Sequence, residues 1–173
     1  MRTTTITRHL AAPRARVYAA LVEADSVKQW RFPSGMRCEI HEFQSREAGA
    51  VRVSLTYEAP DRMGKTTAHT DTYSGRFARL VPDELVVEVD EFETADPSLA
   101  GAMTSTITLR DAPGGGTELV ATHEGLPPAV SLEDNELGWR EALARLEALL
   151  SRPETAPLRG DVRREPFPEE ASA

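Results

Sequence analysis

The stretch SLEDNELGWREALARLEALL, residues 131–150, decides the architecture. Ser131 stands where a helix N-cap belongs, and Asp134 three residues on resembles a capping box, with Asp in place of the preferred Glu or Gln. Trp139, Leu143, Leu146, Leu149 and Leu150 recur at helical spacing and form one apolar face, with Arg140, Glu141, Arg145 and Glu147 largely opposite. Pro153 stops the run. The pattern predicts one long amphipathic helix whose apolar stripe must be buried against another layer.

The chain upstream supplies that layer. Val51, Val53, Leu55 and Tyr57 alternate with polar residues, the period of a strand with one buried face. Similar readings cover Thr3 to Leu10, Met36 to about Phe43, Thr66 to Leu80, a strand beginning Leu85, Val87 and Val89, then Met103 to Leu109 and Thr117 to Glu124. Turn signals separate them: Ala48-Gly49, the loop Ala59 to Gly64, Pro82-Asp83-Glu84, Ala95 to Ser98, and Pro113 to Gly116. After the first strand, Pro13 suits a helix start, and Val17, Tyr18, Leu21 and Val22 share a stripe. A second short helix is expected from Asp25 to Trp30, capped by Asp25 or Ser26 and ended by Pro33-Ser34-Gly35.

Six consecutive strands joined by short turns imply an antiparallel meander, and only the terminal helix is long enough to cover its apolar face. The expected fold class is therefore α+β: a helix-grip, in which a curved sheet of about seven strands, with two short helices after the first, wraps the C-terminal helix. Residues 1–152 form this domain. Residues 153–173, rich in proline and charge, read as a disordered tail.

Composition narrows the function classes. The 173 residues carry 20 Lys and Arg against 28 Asp and Glu, a formal charge of −8. No basic cluster offsets this locally, which argues against nucleic acid or an anionic membrane as partner. The single cysteine, Cys38, allows no internal disulfide and suits a reducing compartment. The N-terminus lacks the apolar run of a signal peptide, and no stretch reaches the roughly 20 apolar residues of a membrane helix. A cytoplasmic location is expected. His9, His41, His69 and His123 show no ligand spacing, so no metal is expected, and with no dinucleotide or phosphate-loop motif no cofactor is expected either.

Several short motifs, in order, resemble a known family. These are Ala12-Pro13 before an amphipathic helix, Trp30, and Gly49 ahead of a strand. Gly75-Arg76-Phe77 then leads to Leu80-Val81-Pro82, Gly116-Thr117-Glu118-Leu119 leads to His123-Glu124-Gly125, and Gly138-Trp139 opens the last helix. In this the chain is similar to the START-like helix-grip (SRPBCC) superfamily, within the group like the activator of heat-shock protein 90 ATPase. The resemblance spans Thr3 to Leu150 and implies a cavity between sheet and helix that receives lipids, sterols, polyketides or other hydrophobic molecules. Some relatives are cyclases, aromatases or hydrolases. A chaperone activator of that kind is expected to carry a further domain, which 173 residues do not hold.

Candidate site residues follow from strand parity. His69, Asp71, Tyr73 and Phe77 project to one face if no bulge intervenes. His69 and Asp71 then form either an acid–base pair in the cavity or a solvated strand end with only Tyr73 and Phe77 buried. Glu91 continues the parity of Leu85, Val87 and Val89, which places it either in the cavity as a general acid or base, or in solvent. His123 shares the apolar side of its strand with Leu119 and Ala121, as a ligand contact or a satisfied structural histidine. Trp139 and Leu143 look from the helix toward the sheet. The expected ligand-lining set is Tyr73, Phe77, Val87, Val89, His123, Trp139 and Leu143, with His69, Asp71 and Glu91 as the catalytic pool. The leading function is binding of a small hydrophobic or amphipathic molecule, with a homodimer compatible. The alternatives are a cyclase- or hydrolase-type enzyme and a ligand-free, co-chaperone-like interaction domain.

Overall fold

In a computed structural model that describes residues 2–153, seven strands form one antiparallel sheet. The residues read as a tail lie outside the described span from Glu154 onward. In chain order the elements are β1 (Thr3–Leu10), α1 (Arg14–Val22), α2 (Ala24–Trp30), β2 (Met36–Phe43), β3 (Ala50–Tyr57), β4 (Thr70–Val81), β5 (Leu85–Phe92), β6 (Met103–Asp111), β7 (Thr117–Glu124) and α3 (Leu132–Leu150). The strand order β1-β7-β6-β5-β4-β3-β2 is a meander from β2 to β7 with β1 added at the far edge. The α+β helix-grip arrangement is present, with α3 packed across the inner face of the sheet.

Local chemistry explains most boundaries. Ser131 caps α3 by accepting a hydrogen bond from the Asp134 amide at 3.2 Å. Pro13 is the N-cap of α1, and its carbonyl accepts from the Arg16 and Val17 amides. Helix α2 starts one residue earlier than the sequence suggests; Glu23 is its N-cap, and no side chain caps it. Strand β4 starts at Thr70 rather than Thr66. The Thr66 hydroxyl donates to the Thr70 carbonyl and accepts from the Thr72 amide, so this threonine closes a loop instead of extending a ladder.

The core sits where α1, α2 and the C-terminal half of α3 meet the inner face. Leu143 and Leu146 are fully buried, together with Leu10, Val17, Trp30, Val53, Phe77 and Leu119. Trp30 satisfies its indole N–H by donating to the Ala20 carbonyl at 2.9 Å. Arg8 also faces inward from β1 and bonds Glu147 of α3, a polar tie at the edge of an otherwise apolar seam.

Strand β5 differs from its sequence reading. Its buried residues are Val86, Glu88 and Asp90, so Val87, Val89 and Glu91 point to the opposite face. The apolar alternation was a misleading guide because an ion pair sits on the inner face, while β-branched valines occupy the outer one for strand preference.

Candidate ligand-binding cleft

Strand register arranges the inner face in rows. One row pairs Val86, Ile107, Ala121 and Ile6 across β5, β6, β7 and β1, and all four are buried and apolar. The next row, two residues along each strand, is Glu88, Ser105, His123 and Thr4. One pleat period thus turns the face from apolar to polar. Under the apolar rows α3 packs directly; beside the polar row a cleft of about 550 Å³ opens between the sheet, the N-terminal half of α3 and the loop after α2. That volume falls within the usual range for small-molecule sites.

The cleft walls are mixed rather than apolar throughout. Tyr73, Phe92, Met103, Leu126, Trp139 and Ala142 give the apolar surface; Arg31, Arg62, Lys65, Asp71, Asp90, Asp134 and Glu141 also line it. Many of the charges are already committed. The Lys65 ammonium and backbone amide both bond the Asp71 carboxylate at 2.5 Å. Cations also cover the aromatics: Arg31 lies 5.7 Å from the Tyr73 ring centroid, Arg62 5.5 Å from Tyr57 and Lys65 5.8 Å from Phe92.

At the floor, Arg31 donates two hydrogen bonds to Glu88, at 2.9 and 2.6 Å, while its nearest approach to Asp90 is 3.8 Å. Burial opposes ionisation of Glu88, but the paired guanidinium holds its carboxyl below the ordinary value. Burial and the neighbouring Glu88 charge push Asp90 up to about 9. With one cation for two desolvated carboxyls, Asp90 holds a proton at neutral pH. Its Oδ1 is buried without a hydrogen-bond partner.

His123 is fixed differently. Its Nδ1 faces two donors, the Asn135 amide at 3.1 Å and the Trp139 indole at 3.3 Å, while the Asn135 oxygen accepts from Thr4 at 2.7 Å. Burial, then the Arg31 charge, lowers its pKa to about 4. The ring is therefore neutral, and with Nδ1 accepting, its proton sits on Nε2.

Of the expected lining residues, Tyr73, His123 and Trp139 border the cleft. Phe77 and Leu143 are fully buried in the core instead, Phe77 edge-on to Phe43 at 5.2 Å. Val87 and Val89 lie on the outer face, as does Glu91, which is exposed and accepts from the Gly101 amide at 3.0 Å. His69 is exposed and bonded through Nδ1 to the Arg62 carbonyl, so it makes no pair with Asp71, whose carboxylate belongs to Lys65. The enzyme pool is thereby dispersed. Sequence reasoning missed Arg31, Glu88, Asp90 and Ser105. The one signal for the carboxyls was the alternation of Glu88 and Asp90, two acids at strand spacing. Among the described residues no cluster of His, Cys, Asp and Glu could hold a metal ion, and no helix is long and apolar enough to cross a membrane.

Comparisons with known proteins bear on the fold. The sequence profile described as activator of Hsp90 ATPase homolog 1-like protein matches residues 11–151. Protein CV1439 from Chromobacterium violaceum is similar in structure, with a TM-score of 0.78, 32% identity, and coverage of 88% of this chain and 99% of that one. A Rhodobacter sphaeroides protein has a TM-score of 0.68 at 23% identity, covering 86% and 91% of the two chains. The AHSA1 protein from Silicibacter pomeroyi has a TM-score of 0.70 at 16% identity, covering 86% and 96%; these two show likeness of fold alone. No curated protein matches the chain.

Proposed function

The chain belongs to the activator of Hsp90 ATPase homolog 1-like family, and on that premise we propose that its cleft binds a small, neutral, amphipathic molecule. The observation that carries this reading is that one cleft is lined both by the polar Ser105–His123 row and by the apolar surfaces of Trp139, Phe92 and Ala142. An apolar body would lie against Trp139, Phe92 and Ala142, and a polar end would meet the Ser105–His123 row. His123 supports it, because its neutral ring offers an Nε2–H donor where a charged ligand group is not required. The lone Cys38 fits a cytoplasmic setting for such a binding domain.

The reading is tested by blocking the cleft. Ala142→Trp, from the helix wall, is expected to abolish uptake of a polarity-sensitive naphthalene dye by the full chain. Val87→Trp, on the outer face, is expected to leave uptake unchanged. Equal uptake by both variants and the parent protein contradicts binding in the cleft.

A further inference from the structure

Of the four side chains in the polar row, the outer two are committed to the protein and the middle two are not. Across the sheet the row runs Glu88, Ser105, His123 and Thr4. Glu88 takes two hydrogen bonds from Arg31 and shares a further one with Asp90, and the Thr4 hydroxyl donates to the Asn135 oxygen. Ser105, only 6% exposed, makes no side-chain hydrogen bond among the described residues, and His123 uses Nδ1 alone.

Ser105 and His123 stand directly opposite each other on β6 and β7, a pairing that puts Cβ atoms about 5 Å apart. Both border the cleft. Neither free group is sealed away from it: among the described residues, Asp90 Oδ1 is the one fully buried side-chain oxygen or nitrogen without a partner. His123 Nε2 and Ser105 Oγ therefore open onto the cleft. The Trp139 indole can only donate, so Nδ1 accepts and Nε2 carries the proton. The Ser105 hydroxyl is a second donor beside it. Apolar groups frame the two: Met103 follows Ser105 on the same face of β6, and the Trp139 ring stands edge-on to His123 with centroids 6.0 Å apart.

Charge and proton count select the group that fits. Arg31 balances Glu88, Asp90 keeps its proton beside Glu88, and His123 is neutral, so the floor holds no excess charge for an ionic ligand group. A carbonyl oxygen has two lone pairs, one for each donor, and brings no proton of its own. A hydroxyl brings one and leaves a donor over, which in a desolvated site costs more than a spare lone pair. We propose that His123 Nε2–H and the Ser105 hydroxyl clasp one carbonyl oxygen, so that the molecule held in the cleft is an apolar ketone or ester. This rests on the cleft-binding reading above and names its ligand class. The subsite binds and polarises the carbonyl; the free nitrogen of His123 already carries a proton and is no base.

The test uses the full chain with three probes: 2-undecanone labelled with carbon-13 at the carbonyl, 2-undecanol and undecane. On binding, the carbonyl carbon is expected to resonate downfield of its position in alkane solvent. The His123 Nε2 proton should move downfield with the ketone and not with undecane. Ser105→Ala removes a hydroxyl that no protein group uses. It should weaken ketone binding about tenfold, the loss of one hydrogen bond of roughly 1.4 kcal/mol, and leave undecane binding unchanged. The alcohol should bind more weakly than the ketone. The subsite is overturned, with the cleft intact, if the carbonyl carbon keeps its alkane-solvent position, if Ser105→Ala binds ketone as the parent protein does, or if the alcohol binds as tightly as the ketone. Uptake of the naphthalene dye without ketone binding has the same meaning. If neither the dye nor any of the three probes binds, the cleft reading fails and the subsite with it.

Discussion

Arg31 and Glu88, 57 residues apart in sequence, meet through a two-pronged hydrogen bond beneath a sheet face that is otherwise apolar on one side of them. The Glu88 side chain is 2% exposed and that of Arg31 15%. A buried ion pair of this kind adds little net stability, yet removing one member leaves a desolvated charge. Arg31→Leu or Glu88→Leu alone is expected to cost about 3–5 kcal/mol in urea denaturation. The double variant should recover much of that loss. Single variants with parent-like stability would show that the pair is not formed as described.

Asp90 sets a pH dependence whose sign is fixed by its raised pKa of about 9 against an ordinary value of 3.8. Between these values the folded chain keeps a proton that the unfolded chain has released. Its contribution is favourable below about pH 4 and is lost as pH rises through about 9. Asp90→Asn, which cannot ionise, should therefore gain stability relative to the parent protein as pH rises from 5 to 9. A constant difference between the two across that range would contradict a protonated Asp90.

His123 is expected to stay neutral well below the ordinary histidine range, since burial and Arg31 lower its pKa to about 4. Nitrogen-15 NMR should show a protonated Nε2 and a bare Nδ1 at pH 7, without titration near 6.5. Asn135→Ala removes one of the two donors that hold Nδ1 as an acceptor, and should mix the tautomers. Titration near 6.5 in the parent protein would overturn the placement of this ring.

Trp139 and Val87 separate the two faces experimentally. Trp139→Ala should weaken uptake of the naphthalene dye by roughly tenfold, as loss of an aromatic wall contact does. Deleting residues 153–173 should matter less. Val87→Ala should leave dye binding intact and cost no more than about 1 kcal/mol of stability in urea denaturation.

The contrast between those residues also marks what could be read from sequence. The terminal helix was legible because Leu143, Leu146 and Leu150 repeat over several turns and Ser131 supplies a cap. The meander was legible because each turn is signalled by glycine, proline or aspartate; Asp83 indeed adopts φ 63°. The facing of β5 was not. Leu85, Val87 and Val89 are the apolar set, but Glu88 and Asp90 are drawn inward by Arg31, a partner supplied by the end of α2 that strand parity does not reveal. Thr66 and His69 precede the strand rather than belong to it, since their side chains serve a loop of their own, and of the two alternatives for His69 the exposed one is present. Strand parity points Tyr73 and His123 inward and helical spacing does the same for Trp139, and all three border the cleft.

The most direct measurement is a set of isotope-filtered nuclear Overhauser contacts between the unlabelled naphthalene dye and the carbon-13-labelled full chain. The account predicts contacts from the dye to the rings of Trp139, Phe92 and Tyr73, all lining the cleft, with none to Val87 or Val89. Contacts confined to the outer face, or no contacts at saturating dye, would contradict a ligand-binding cleft between the sheet and α3.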